Sequence, residues 1–209
     1  MKILIIGANG KIGKLLIKQL AKSNHEIRAM IRKEEQRPVL EALGAEVVLG
    51  DLEGEFEHAL EDCDAVVFTA GSGPSTGADK TILIDMWGAM KTMYACTDKG
   101  LKRYIMVSSR NAGDPDNGPA KIRHYNVAKH IADEYLKGSK LEYTILRPGK
   151  LTDDEGTGHI TTTRPDSDQQ SITRDDVASC IVYCLDNPGT IGKIVELYQG
   201  DTLISEALK

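Results

Sequence analysis

Two serines close an apolar run at Ser108 and Ser109, and Tyr125 and Lys129 follow four residues apart. On a helix, residues so spaced share a face. An ammonium held beside a phenol lowers the phenol's pKa from about 10 toward working pH. Such a tyrosine can pass a proton to or from a carbonyl oxygen while hydride moves, and a serine hydroxyl would hold the same oxygen. Only Tyr125 of the 7 tyrosines has a lysine four residues on, and its helix follows a run ending in Ser-Ser. The competing reading is an interfacial tyrosine beside a solvated lysine.

Hydride chemistry needs a carrier, and the N-terminus offers a place for one. Ile3 to Ile6 is a short β-branched run suited to a strand buried on both faces. The turn Gly7-Ala8-Asn9-Gly10-Lys11-Ile12-Gly13 follows, and then Leu15, Leu16 and Leu20 recur at helical spacing. Gly7 permits the tight turn, Gly10 leaves room for a pyrophosphate and Gly13 allows close helix–strand packing. The phosphates would meet the free N–H groups and positive dipole end of the helix.

The end of the second apolar run reports on the carrier. An NAD site places a carboxylate there for the ribose hydroxyls. This chain has Arg32 and Lys33 instead. Arg32 can form a forked pair with a 2′-phosphate, with Lys33 as a second cation. The spacing therefore predicts NADP, with NAD still open; a solvated basic turn neutralised by Glu34 and Glu35 is the alternative. Asp51, after the third run, could reach an adenine amino group or cap a following helix.

Apolar runs and helical patterns alternate along all 209 residues, which predicts a single α/β domain, a doubly wound parallel sheet of Rossmann type. Expected strands are 2–6, 26–31, 45–49, 64–69, 103–107, 142–146 and 193–198. Expected helices are 11–22, 34–43, 54–61, 79–98, 122–137 and 174–186. Two aperiodic stretches, about 110–120 and 150–170, follow carboxyl ends of strands and are expected to be substrate-side loops. The acidic triplet Asp153-Asp154-Glu155 reads as a solvated turn. Thr173 reads as a helix cap, with Asp175 and Asp176 in the first turn.

Composition removes other classes. A net charge of -5 argues against bulk nucleic-acid binding. No apolar run is long enough to span a bilayer, and Ile3 to Ile6 is too short for a signal core, so a cytoplasmic protein without a membrane partner is expected. Cys63, Cys96, Cys180 and Cys184 form no C-x-x-C, and the five histidines show no ligand spacing, so no metal is expected.

Taken together, Gly7-Gly10-Gly13, Asp51-Leu52, Ala70-Gly71, Ser108-Ser109, Tyr125/Lys129 and Arg147-Pro148-Gly149 resemble the short-chain dehydrogenase/reductase family, over nearly the whole chain. The likeness is to its atypical, small single-domain branch, alongside flavin/biliverdin-IXβ reductases, NmrA-like proteins and proteins labelled NAD-dependent epimerases. The resemblance implies cofactor contacts from Gly7, Asn9, Gly10, Lys11, Ile12, Gly13, Arg32, Lys33, Asp51, Leu52, Thr69, Ala70, Gly71, Ser108, Tyr125, Lys129, Pro148 and Gly149. It implies catalytic roles for Ser109, Tyr125 and Lys129, with Pro148-Gly149 in the turn that holds the nicotinamide. One departure is Asp85, where sugar-nucleotide members often carry Asn; a carboxylate cannot donate as an amide does. The large C-terminal lobe of those enzymes is also missing. The expected function is an NADP-dependent oxidoreductase acting on a small carbonyl, quinone, flavin or similar acceptor. The alternatives are a non-enzymatic NADP-binding redox sensor and an NAD-dependent epimerase or dehydratase. Substrate identity and oligomeric state are not fixed by these residues.

Overall fold

A computed structural model describes residues 1–73, 75–166 and 170–209. The parallel core runs β3 (Glu46–Leu49), β2 (Glu26–Ile31), β1 (Lys2–Ile6), β4 (Ala65–Phe68), β5 (Arg103–Val107), β6 (Glu142–Pro148) and β10 (Lys193–Gln199). Antiparallel β8 (His159–Thr161) pairs β10, and β11 (Thr202–Leu203) pairs β8, extending the sheet at that edge. The sequence order reverses beside β1, where β4 and β2 flank it. Ligands of such sheets bind outside the carboxyl ends at that crossing.

Strand alternation builds two cores. Ile3 and Ile5 face one side with Leu16, Ile17 and Leu20 of α1 (Lys11–Leu20) and Val177 and Ile181 of α6 (Arg174–Asp186). Leu4 and Ile6 face the other with Met93 and Cys96 of α4 (Ala89–Asp98) and Ala132 and Leu136 of α5 (Arg123–Gly138). Helices thus cover both faces, as the unbroken apolar strands require. Cys96, Cys180 and Cys184 are buried within these cores as free thiols.

Several expected elements differ. The 34–43 helix is a 3₁₀ turn at Glu34–Gln36 followed by a short α2 (Arg37–Glu41), because Pro38 cannot continue a preceding helix. The 54–61 helix reduces to one 3₁₀ turn, Glu57–Leu60, which suffices to bury Phe56, Ala59 and Leu60. The 79–98 helix is composite: α3 (Ala78–Lys80), a π-wound stretch Thr81–Gly88, then α4. The 150–170 region is not a continuous loop. It contains β7 (Lys150–Thr152) and β8, and β7 pairs β9 (Ser171–Thr173) in a separate ribbon. A final turn, α7 (Ile204–Ala207), packs on α6. Thr173 caps α6 by accepting from Asp176 N–H at 2.9 Å. The Asp176 carboxylate in turn accepts from Thr157 and Gly158 N–H, holding the loop before β8. Asp153 is a bridge and not merely a solvated turn residue, since it pairs with Lys11 at 2.5 Å and Arg174 at 2.7 Å.

Candidate functional site

A cleft of ≈ 390 Å³ opens at the carboxyl ends of β1, β2 and β4. Eight expected cofactor residues line it: Gly7, Asn9, Gly10, Arg32, Leu52, Thr69, Ala70 and Gly71. The glycine turn has the shape a pyrophosphate needs. Gly7 sits at φ 90°, and a Cβ there would lie 2.5 Å from Ala70 N. A Cβ on Gly13 would strike Gly7 O at 2.5 Å, so only glycine lets α1 pack on β1. At Gly10 a Cβ would meet only Gly7 O, at 3.0 Å, and otherwise enter open space. Gly10 is the helix N-cap without a side-chain cap, and no acidic residue occupies the first turn. The first-turn N–H groups and dipole end are therefore available to an anion. These residues fit the phosphates of a dinucleotide.

Arg32 reaches the cleft from the end of β2. Its backbone N–H donates to Gln36 Oε1 at 3.3 Å, and among the described residues its guanidinium has no hydrogen bond or ion pair. Lys33 is exposed in extended backbone and does not line the cleft. Both residues are exposed, but consecutive extended residues point oppositely, so with Arg32 on the cleft Lys33 faces away from it. Asp51 is also outside the lining; its carboxylate accepts Glu53 N–H at 3.0 Å and shapes the turn that presents Leu52 and Glu53. Lys11 is engaged with Asp153, and Ile12 belongs to the core. Glu53 and Lys80, which the sequence reading missed, line the cleft as well. Their place depends on the length of the turn after β3 and the position of the short α3, neither of which a motif marks.

The remaining expected residues gather at the ends of β5 and β6. Tyr125, Lys129 and Asp133 form an i, i+4, i+8 stripe on α5. Lys129 is buried, donates to Val107 O at 2.9 Å and lies 5.8 Å from the Phe68 ring centroid. Burial lowers its pKa, against the opposing pull of Asp85 and Asp133. Tyr125 moves contrary to expectation. Burial first, then the Asp85 and Asp133 carboxylates, push its phenol well above the ordinary value. Lys129 points to the β5 carbonyl and does not draw that proton off.

Asp133 is fully buried and accepts from Arg147 Nε at 2.9 Å. Burial raises its pKa, while Ser108, Arg147 and Lys129 oppose the rise. Ser108 Oγ and Asp133 Oδ1 are nevertheless buried without a well-aligned hydrogen bond. Ser109 donates to Asn126 Oδ1 at 3.3 Å. Gly149 is pinned by backbone, its N–H on Leu197 O at 2.9 Å, and a Cβ there would strike Gln170 O at 2.4 Å. Pro148 is the last residue of β6 and has no N–H to give the ladder. Asp85 accepts Ser72 N–H at 2.9 Å, and its Oδ1 packs against Gly71, where a Cβ would lie 3.0 Å away. The Asp133–Arg147 pair and the action of Asp85 on Tyr125 and Lys129 were not legible in the sequence, because they join separate elements.

Among the described residues no helix is long and apolar enough to cross a membrane. The chain is 48% identical over 213 residues to the uncharacterized sugar epimerase YhfK of Bacillus subtilis, covering 100% of this chain and 99% of that one. It is 50% identical to a Bacillus halodurans protein provisionally described as an NAD-dependent epimerase/dehydratase, with a TM-score of 0.96 over 100% and 98% of the two chains. It is 34% identical to the oxidoreductase ylbE from Lactococcus lactis, with a TM-score of 0.87 over 100% and 95%. A family model described as NAD(P)H-binding matches residues 7–188, which include the glycine turn, Arg32, Ser109, Tyr125 and Lys129. The chain belongs to the NAD(P)H-binding family.

Proposed function

We propose that the protein is an NADP-dependent oxidoreductase acting on a small carbonyl, quinone or flavin-like acceptor. The observation that carries this reading is Arg32, a guanidinium without a partner among the described residues, in the cleft where an NAD site would hold a carboxylate. The Gly7–Gly13 turn would hold the pyrophosphate, and Arg32 would fork onto the 2′-phosphate. The bound cofactor would supply the hydride. Toward the acceptor, Tyr125 would donate a proton to the reacting oxygen and Ser109 would orient it. Lys129 would serve from beneath as a buried charge fixed on Val107 O, holding the end of β5 against α5.

An epimerase or dehydratase is the second reading, favoured by how the relatives at 48% and 50% identity are described. Two observations weigh against it. Asp85 stands where an amide donor is common, and the Tyr125 environment favours the neutral phenol, whereas those reactions call on a tyrosine base.

The test is a calorimetric titration of NADP and NAD into wild type and Arg32→Glu. Wild type should prefer NADP, and the variant should lose about 1.5–3 kcal/mol of NADP binding, the range for hydrogen bonds to charged groups. Equal wild-type affinities would refute NADP preference. Turnover is then assayed on carbonyl, quinone and flavin acceptors. Tight NADP binding with no turnover on any of them would identify a sensor instead.

A further inference from the structure

Arg32 is not the only cation in the cleft. Lys80, the last residue of α3, lines the same ≈ 390 Å³ space, as does Glu53 from the turn after β3. Lys80 Nζ donates to both Glu53 carboxylate oxygens, at 2.6 and 2.8 Å. The Asp79 and Asp51 carboxylates lie nearby as weaker neighbours. The pair is not sealed from water, with side-chain exposures of 41% and 29%. An exposed ion pair contributes little, so a stronger partner can replace either member at small cost. Arg32, Glu53 and Lys80 line one cleft of ≈ 390 Å³, a volume in the range of a single small-ligand site, so one ligand can engage all three.

The two cofactors would ask opposite things of this pair. A 2′-phosphate carries about two negative charges and three acceptor oxygens, more than one guanidinium satisfies. Bare ribose hydroxyls instead need a carboxylate to accept from them. Lys80 can supply the first and Glu53 the second. The second cation expected from sequence, Lys33, is absent from the lining.

We propose that Lys80 and Glu53 form an exchangeable pair that sets cofactor choice: Lys80 leaves Glu53 to become the second cation on a 2′-phosphate, whereas Glu53 is the residual acceptor for NAD. This rests on the placement of the 2′-phosphate at Arg32. It differs from a structural brace in one respect that can be measured. Removing the cation and removing the carboxylate should act in opposite directions on NADP, and oppositely again on NAD.

The experiment titrates NADP and NAD separately into folded wild type, Lys80→Met and Glu53→Gln, at low and at high salt, with thermal melts as a check on folding. Lys80→Met is expected to weaken NADP about ten- to hundredfold, the span of a charged hydrogen bond, and to leave NAD unchanged or tighter. Glu53→Gln is expected to tighten NADP and weaken NAD. The NADP effects should shrink at high salt, since the groups are partly exposed. Both variants shifting both cofactors in the same direction would show a brace and overturn the proposal. So would Lys80→Met leaving NADP affinity unchanged. The Arg32 reading fails separately: a wild type without NADP preference removes it, while opposite shifts in the two variants would still support the exchange. Conversely, if Arg32→Glu abolishes the preference and Lys80→Met changes nothing, only the present inference falls.

Discussion

Tyr125 gives the sharpest test of the chemistry, because its environment argues against the usual activation of a tyrosine. Tyr125 shares a face of α5 with Lys129, yet the ammonium is turned to Val107 O, and what acts on the phenol is burial, Asp85 and Asp133. All three raise its pKa. The folded protein therefore favours the neutral phenol, and that contribution to stability is intact below the ordinary value of about 10 and lost only as pH rises through the higher folded value. A phenol so raised stays protonated at working pH, as the proposed donor role requires. Tyr125→Phe should change folding and NADP affinity little and lower reductive turnover by about 10²–10⁴-fold, the range for a positioned proton donor. Reductive kcat should show no basic limb from Tyr125 between about pH 6 and 9. A measurement independent of substrate is the tyrosinate ultraviolet absorbance of wild type minus Tyr125→Phe, titrated to alkaline pH. No tyrosinate signal from Tyr125 should appear at or below the ordinary phenol value of about 10. Asp85→Asn keeps an acceptor for Ser72 N–H but removes one raising charge, so it should move the Tyr125 transition down. A Tyr125 signal with a midpoint below 10 in wild type would refute the reasoning. Acceptors that take their proton from solvent would give another signature: a silent Tyr125→Phe beside an inactive Gly10→Val.

Two further outcomes follow from the geometry. Gly10→Val should abolish binding of either cofactor, because the space a Cβ enters is where the phosphates would lie, and a melt near that of wild type would show the fold retained. Normal affinity in that variant would place the phosphates elsewhere. Asp133→Ala leaves the Arg147 guanidinium without its buried counter-ion and should cost about 3–5 kcal/mol. That corresponds to about 6–20 °C in Tm at roughly 2–4 °C per kcal/mol for a chain of this size. Because burial raises the Asp133 carboxyl in the fold, wild-type stability falls as pH rises through that folded value, a slope that should vanish in Asp133→Ala.

The sheet was legible because its strands are continuous apolar runs, and burial on both faces leaves few other structures for Leu4 to Ile6 or Ala65 to Phe68. The glycine turn was legible because Gly7 and Gly13 each meet a steric demand that no other residue satisfies. What escaped was short or set by tertiary contact. β7, β8 and β9 have three residues each, too few to show a period. The π winding of Thr81–Gly88 leaves the apolar pattern of an ordinary helix in place while changing which side chains face inward. Tyr125 and Lys129 do share a helix face, as their spacing requires, but spacing cannot say that Val107 O takes the ammonium. Arg32 was expected on the 2′-phosphate with Lys33 as a second cation, and only the backbone direction shows that Lys33 does not line the cleft.

Asp85 explains its own departure from the expected amide once the buried charges are counted together. Lys129 and Arg147 bring two cations to the carboxyl ends of β5 and β6, and a buried charge is tolerated only when paired. Asp133 is committed to Arg147 through Nε. Lys129, at 1% exposure, is left with a neutral carbonyl and the field of the two carboxylates. An asparagine at position 85 would accept from Ser72 N–H as well as Asp85 does, yet it would leave the cluster one positive charge in excess. The carboxylate is therefore matched to the buried lysine and not to a donor role in the reaction. It also links the two halves of the site. One oxygen fixes Ser72, which lines the cleft, while the same carboxyl acts on Tyr125 and Lys129 of α5.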